Sequence, residues 1–233
     1  MCIRDSYYED LDALAIAVKK SNAKILYLSN PDNPMGTFHS KDRIQDFIDN
    51  IPNRTILCLD EAYSDFVDKD ELASINVEQE NVIRFRTFSK AYGLAGLRVG
   101  YGIGNKKLVK AFNKVRNHFG VNKLGQIAAK AALEDQDHLK TVLKKVDQSK
   151  KDIAALFQRF GFTSLSSRTN FVPINSGGDG KFAAKLMSSL IQKKVFVRMP
   201  SVSPLNSFIR ITAGTNHDLM VLDDAMNKII KEI

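Results

Sequence analysis

Lys90 stands in the run Thr87-Phe88-Ser89-Lys90-Ala91-Tyr92-Gly93-Leu94-Ala95-Gly96-Leu97-Arg98, just after an apolar stretch and among small residues. A lysine so placed can form an imine, and the hydroxyls and arginine beside it can hold a phosphate. Together they point to pyridoxal 5'-phosphate, which acts as an electron sink for a carbanion while the protein supplies binding, orientation and electrostatics. After displacement by a substrate amine, Lys90 would be a free base able to move a proton between the substrate's alpha carbon and the cofactor's C4'. An isolated lysine is ordinarily a surface charge, but Phe88, Ala91, Gly93 and Leu94 are poor company for a solvated one.

Two further segments carry the other groups such a cofactor needs. Asp60 closes the apolar run Thr55–Leu59, where a carboxylate is costly without a partner. The protonated ring nitrogen of the cofactor would be that partner. Tyr63 and Asn33 can each donate a hydrogen bond to the phenolic oxygen and so tune the imine's proton affinity. Thr87, Ser89 and Arg98 can bind the phosphate through charge-assisted hydrogen bonds, a task for which arginine is better shaped than lysine. Arg210 interrupts the apolar Phe208-Ile209 and Ile211-Thr212, which suits it to a substrate carboxylate. Arg198, after Val195-Phe196-Val197, is a candidate for a second anionic group on the substrate.

The elements that must position these residues follow from apolar periodicity. Lys24–Ser29, Thr55–Leu59, Val82–Phe88 and Leu97–Ile103 read as strands, and Ser40 caps a helix carrying Ile44, Phe47, Ile48 and Ile51. Strands alternating with helices predict an α/β domain with a mostly parallel sheet. Ligands of such sheets gather beyond the carboxyl ends of the strands, where Asn33, Asp60 and Lys90 all lie. Helices are expected over 107–117 and 123–133. A long amphipathic helix should follow, with Leu139, Val142, Leu143, Val146, Ile153, Leu156, Phe157 and Phe160 on one stripe and Gly161 as its C-cap. The remainder reads as strands at 170–175, 195–198 and 208–212 with helices over 182–192 and 217–230. This predicts a C-terminal α+β domain, with the large domain over 7–137 and the small one over 138–233.

Composition excludes several classes. The 233 residues are 44% hydrophobic and 26% charged, as in ordinary globular chains. Two cysteines, Cys2 and Cys58, offer no metal spacing or disulfide framework, which suits a reduced, cytoplasmic setting. No apolar run has membrane-span length, and His39, His118, His138 and His217 lack metal-ligand spacing. The net charge of +8 falls largely on periodic helices and comes without a nucleic-acid-binding signature, so neither nucleic acid nor membrane is an expected partner. The glycines at 100, 102 and 104, and the stretch Gly178-Asp179-Gly180-Lys181, imitate phosphate-binding loops without their required order. Met1–Ser6 fits no pattern and reads as a cloning or assembly scar.

The segments Asn30–Thr37 (NPDNPMGT), Asp60–Tyr63 (DEAY), Thr87–Gly100 (TFSKAYGLAGLRVG), Asn170-Phe171, Val197-Arg198 and Ile209–Thr215 (IRITAGT) occur in an order that is informative as a set. In that set the chain resembles class I/II aminotransferases of the aspartate-aminotransferase fold type, and most closely the histidinol-phosphate aminotransferase group. The resemblance implies Lys90 as the cofactor-bearing lysine, Asp60 at the ring nitrogen, and Tyr63 and Asn33 at the phenolic oxygen. It also implies Thr87, Ser89 and Arg98 at the phosphate, Arg210 at the substrate carboxylate, and Arg198 and Asn170 at the substrate. Family members carry most of another domain's worth of chain before the first motif, so the resemblance implies an N-terminally shortened chain from a homodimeric enzyme. Strand edges and apolar surface should then be exposed. Decarboxylation of a phosphorylated amino acid, or a non-catalytic aminotransferase-like binding module, are the alternatives to transamination.

Overall fold

The apolar run Ile25–Ser29 forms β1 of a four-stranded sheet in the computed structural model, which describes residues 7–232. The expectation for Met1–Ser6 lies outside the described residues. Strands β2 (Ile56–Asp60), β3 (Val82–Thr87) and β4 (Gly100–Gly104) follow, in spatial order β1-β2-β3-β4. The first two pairings are parallel and β3 with β4 is antiparallel. Strand β4 begins at Gly100 rather than Leu97, because Ala95–Leu97 is a 3-10 turn and Arg98 adopts a left-handed backbone (φ 55°).

Two helices cover one face of this sheet. Helix α1 (Leu11–Ser21), which no sequence signal above anticipated, is capped by the Asp10 carboxylate, which accepts from Ala13 N. Helix α2 (Lys41–Asn50) starts at the expected Ser40 cap and stops before Pro52. Leu11, Ala15 and Val18 of α1 and Ile44, Phe47 and Ile48 of α2 pack with Leu26, Leu28, Leu57, Leu59 and Val82. A parallel sheet ordinarily buries both faces. On the opposite face here, Ile25 and Tyr27 are 66% and 60% exposed. Helix α3 (Lys106–Phe112) is shorter than its apolar pattern predicts, and α4 (Lys123–Glu134) matches it closely.

The described residues form two compact units, residues 7–32 with 38–140, and residues 33–37 with 141–232. The long helix α5 (Gln136–Arg159) begins in the first and continues into the second, and the turn that closes it passes through Gly161, whose φ of 83° only glycine adopts freely. In the second unit, β5 (Thr163–Ser164), β6 (Phe171–Asn175) and β7 (Phe208–Thr212) make an antiparallel sheet in that order. Ile153, Leu156 and Phe157 of α5, Leu186 and Leu190 of α6 (Gly180–Gln192), and Leu222, Met226 and Ile229 of α7 (Asn216–Ile229) pack around Ile174 and Ile209.

The strand expected at 195–198 does not form. The Val195 amide closes the end of α6 by donating to Leu190 O, and Lys194 before it is left-handed (φ 65°). Pairing survives at one position, an isolated antiparallel bridge between Arg198 and Arg210. The peptide before Pro34 is not among the cis bonds, which fall at Asn30-Pro31 and Ser203-Pro204. Among the described residues, no helix is long and apolar enough to cross a membrane, and no cluster of histidine, cysteine or acidic side chains could hold a metal.

Candidate active site

Strand β2 delivers Asp60 at its carboxyl end, half-buried and pinned from two sides. Its Oδ1 accepts from Ala62 N (2.9 Å) and its Oδ2 from the Tyr27 hydroxyl (2.6 Å). Tyr27 lies on β1, opposite Cys58 and two residues short of the Ser29–Asp60 pair, and no sequence argument singled it out. Although the side chain as a whole is largely exposed, desolvation at its hydroxyl end and the Asp60 carboxylate both hold its phenol protonated and push its pKa up. Only the alternation of β1 could have flagged it, since that places Tyr27 on the face away from Leu26 and Leu28.

Strand β3 delivers the other predicted groups of the first unit. Thr87 is its last residue; its Oγ1 accepts from Ser89 N (3.0 Å) and lies 3.4 Å from Val99 O. Phe88 is buried and fixes the turn: its amide donates to Val99 O, and its carbonyl accepts from Leu94 N. The Lys90 carbonyl accepts from Gly93 N, where φ is 71°. This tight turn presents Lys90 half-buried, with Nζ 5.1 Å from the centre of the Tyr63 ring. Tyr63 is itself buried, in the turn after Asp60. Arg98 is exposed and donates to Ala95 O.

An acid, an amine, a phenol and two hydroxyls therefore gather at the carboxyl ends of β2 and β3, with a guanidinium just before the start of the antiparallel β4, all in one unit. Their chemistry fits a ring that presents a basic nitrogen, an aldehyde, a phenolic oxygen and a phosphate.

The second unit holds the remaining predicted residues. Arg210 and Arg198 oppose each other across the bridge, exchanging both backbone hydrogen bonds. Opposed residues of an antiparallel pair project to the same face, and both arginines line a hollow of about 340 Å³ with Pro34, Met187, Phe196 and Met199. Each guanidinium lies over an aromatic ring, Arg210 on Phe171 (4.6 Å) and Arg198 on Phe196 (5.3 Å). Arg210 also donates to Asn33 Oδ1. That leaves the donor end of the amide, Nδ2, for other work. Asn170 contributes its carbonyl to Ala213 N.

Residues 3–229 match the family model of aminotransferase class I and II, and the chain belongs to that family. Within it, the chain is similar to histidinol-phosphate aminotransferases. It is 38% identical over 210 residues to histidinol-phosphate aminotransferase 2 of Carboxydothermus hydrogenoformans, covering 88% of this chain and 57% of that protein. Its fold matches the crystal structure of histidinol-phosphate aminotransferase from Sinorhizobium meliloti in complex with pyridoxal-5'-phosphate, with a TM-score of 0.96 and 42% identity. That match covers 99% of this chain and 63% of the other. L-threonine-O-3-phosphate decarboxylase from Porphyromonas gingivalis is more distant, with a TM-score of 0.74 and 25% identity over 91% of this chain and 66% of that one. The chain thus spans less than two thirds of the length of the curated relatives it matches.

Proposed function

We propose that this chain carries the cofactor lysine and substrate arginines of a pyridoxal-phosphate-dependent aminotransferase acting on histidinol phosphate and a 2-oxo acid. The observation that carries the reading is the setting of Lys90: a half-buried amine against Tyr63, at the end of β3, beside Thr87 and Ser89. When bound, the cofactor supplies the electron sink that no side chain can provide. Lys90 holds it covalently and, once free, carries a proton to or from the substrate's alpha carbon. Asp60, already oriented by Tyr27, pairs with the protonated ring nitrogen. Tyr63 and Asn33 donate to the phenolic oxygen, and Thr87, Ser89 and Arg98 take the phosphate.

The arginine pair supports the substrate class. Two like charges directly opposed across a bridge repel, which favours a bound group with more negative charge than one carboxylate. Histidinol phosphate carries a phosphate ester where an amino acid carries its carboxylate, and the hollow's Met187, Phe196 and Met199 suit an imidazole. A carboxylate of glutamate would be taken by Arg210. The same pair suits a phosphorylated amino acid undergoing decarboxylation, a second reading favoured by the likeness to the threonine-phosphate decarboxylase. A homodimeric, cytoplasmic enzyme completes the proposal. Exposed Phe112, Val115, Phe119, Leu124 and Ile127 in the first unit give such an assembly apolar surface to cover.

Borohydride trapping tests the proposal. With pyridoxal phosphate, the reduced adduct should map to the Lys90 peptide and vanish in Lys90→Ala. Equal labelling of other lysines in both proteins would refute the cofactor site. Formation of pyridoxamine phosphate on adding histidinol phosphate supports transamination, whereas release of carbon dioxide from a phosphorylated amino acid, with the cofactor left as the aldehyde, supports decarboxylation.

A further inference from the structure

Behind Asp60 lies a buried charge cluster that none of the assignments above uses. Glu61 is 3% exposed, and its amide continues the β2–β3 ladder by donating to Phe85 O. Its Oε1 accepts from Arg84 Nη1 (2.8 Å) and its Oε2 from Arg86 Nε (2.9 Å). Arg84, 4% exposed, also donates to Ala73 O and Ser74 O, which ties down the crossover that leads from Tyr63 to β3. Asp65 lies close enough to Arg86 to feel its charge, and burial raises its pKa. The Arg86 cation is disfavoured by its own burial but held by Glu61, and its net shift is upward.

Strand alternation divides the labour. The register Leu57–Val82, Leu59–Arg84 continues to Glu61 and Arg86, on the core face. Cys58–Ile83 and Asp60–Phe85 lie on the other face, with Thr87 next in line. Two acids and two guanidiniums thus close the core at the strand ends, back to back with the residues assigned to the cofactor.

We propose that Glu61 is a positioning residue for the cofactor site, locking the ends of β2 and β3 through Arg84 and Arg86 so that Asp60, Tyr63 and Lys90 are held as one constellation. This rests on the cofactor reading above. Removing one partner of a buried ion pair leaves the other charge uncompensated. Glu61→Gln keeps the shape of the side chain and strands two cations against a single acid.

Three quantities should be read on the full chain: affinity for pyridoxal phosphate by absorbance titration, the fraction of borohydride-trapped label on Lys90, and melting of the cofactor-free protein. Glu61→Gln should weaken cofactor capture about 10-fold, equivalent to roughly 1.4 kcal/mol, and scatter label onto other lysines at temperatures where the chain remains folded. The Glu61→Gln/Arg86→Gln double variant restores the charge balance and should be no worse than Arg86→Gln alone, since partners in one network are non-additive. Wild-type affinity and labelling selectivity in a folded Glu61→Gln would overturn the inference. So would capture that falls only in step with melting while the two substitutions add, or failure of both Glu61→Gln and the double variant to fold. Failure of the wild-type chain to label Lys90 would instead sink the cofactor reading itself.

Discussion

Arg198→Gln separates a functional arginine pair from a structural one, because the two roles predict opposite signs for stability. Cβ atoms opposed across an antiparallel bridge lie about 5 Å apart. Two guanidiniums ~6 Å apart repel by roughly 0.7 kcal/mol in bulk water and about 3 kcal/mol at an effective dielectric near 20. Arg198 is exposed, so a figure of ~1 kcal/mol is the better choice. Stacking on Phe196 returns about 0.5–1 kcal/mol of this. The substitution should therefore leave the ligand-free chain equally stable or slightly more so, with a melting rise of no more than ~2–4 °C that high salt removes.

Ligand binding should move the other way. A hydrogen bond to a charged group contributes roughly 1.5–3 kcal/mol, so losing one cation facing a phosphate weakens binding about 10- to 100-fold. The assay is thermal melting with and without histidinol phosphate, at low and high salt, repeated with glutamate. Wild type should gain stability from the phosphate ester, whereas Arg198→Gln should lose most of that gain and keep its response to glutamate. A variant that melts several degrees lower without ligand, yet responds fully to the ester, would show that Arg198 serves the fold.

Three other outcomes follow from particular contacts. Gly36 has φ 70°, and an added Cβ would collide with the Ser167 side chain, so Gly36→Ala should destabilise the second unit by roughly 1–3 kcal/mol; an unchanged urea midpoint would contradict this. Tyr27, whose folded pKa is raised by burial and Asp60, contributes stability that is full below its unfolded pKa of about 10 and is lost as pH rises above it. Tyr27→Phe should flatten that alkaline decline in denaturation profiles, and an equally steep fall would deny the linkage. Phe119 is 94% exposed and Leu124 72%, so Phe119→Asp with Leu124→Lys should reduce self-association in light scattering. Unaltered scattering would mean that this surface is not adhesive.

The elements bearing the site were readable because their signals are local. Lys24–Ser29, Thr55–Leu59 and Val82–Phe88 are apolar runs bounded by turn residues, and their ends place Asp60 and Lys90 within a residue or two of where the structure has them. Helix α2 announced itself through Ser40 and Pro52. What failed was decided by a helix-end hydrogen bond, by backbone handedness or by a partner distant in sequence. Residues 195–198 have strand composition, but the Val195 amide is already committed to Leu190 O. Likewise, Leu97 and Arg98 look like strand until the left-handed conformation of Arg98 delays β4 to Gly100. Tyr27 was missed because its hydrogen bond to Asp60 spans a parallel pairing that no motif encodes, although strand alternation placed it on the right face.

Asp60 and Glu61 show how much a single period of two can carry. Adjacent acids at a strand end normally compete for the same cations. Here the pleat sends one carboxylate to Tyr27 on the open face and the next to Arg84 and Arg86 on the core face. The arrangement depends on register: a one-residue slip of β2 would turn Asp60 toward Arg84 and Arg86 and leave Glu61 beside Tyr27. Leu57 and Leu59, both almost fully buried, would turn out of the core in the same slip. The hydrophobic pattern of β2 thus fixes which acid faces the proposed cofactor site. Burial of two leucines against α1 and α2 is in this sense part of the chemistry, since it decides that the half-buried carboxylate at the strand end is Asp60.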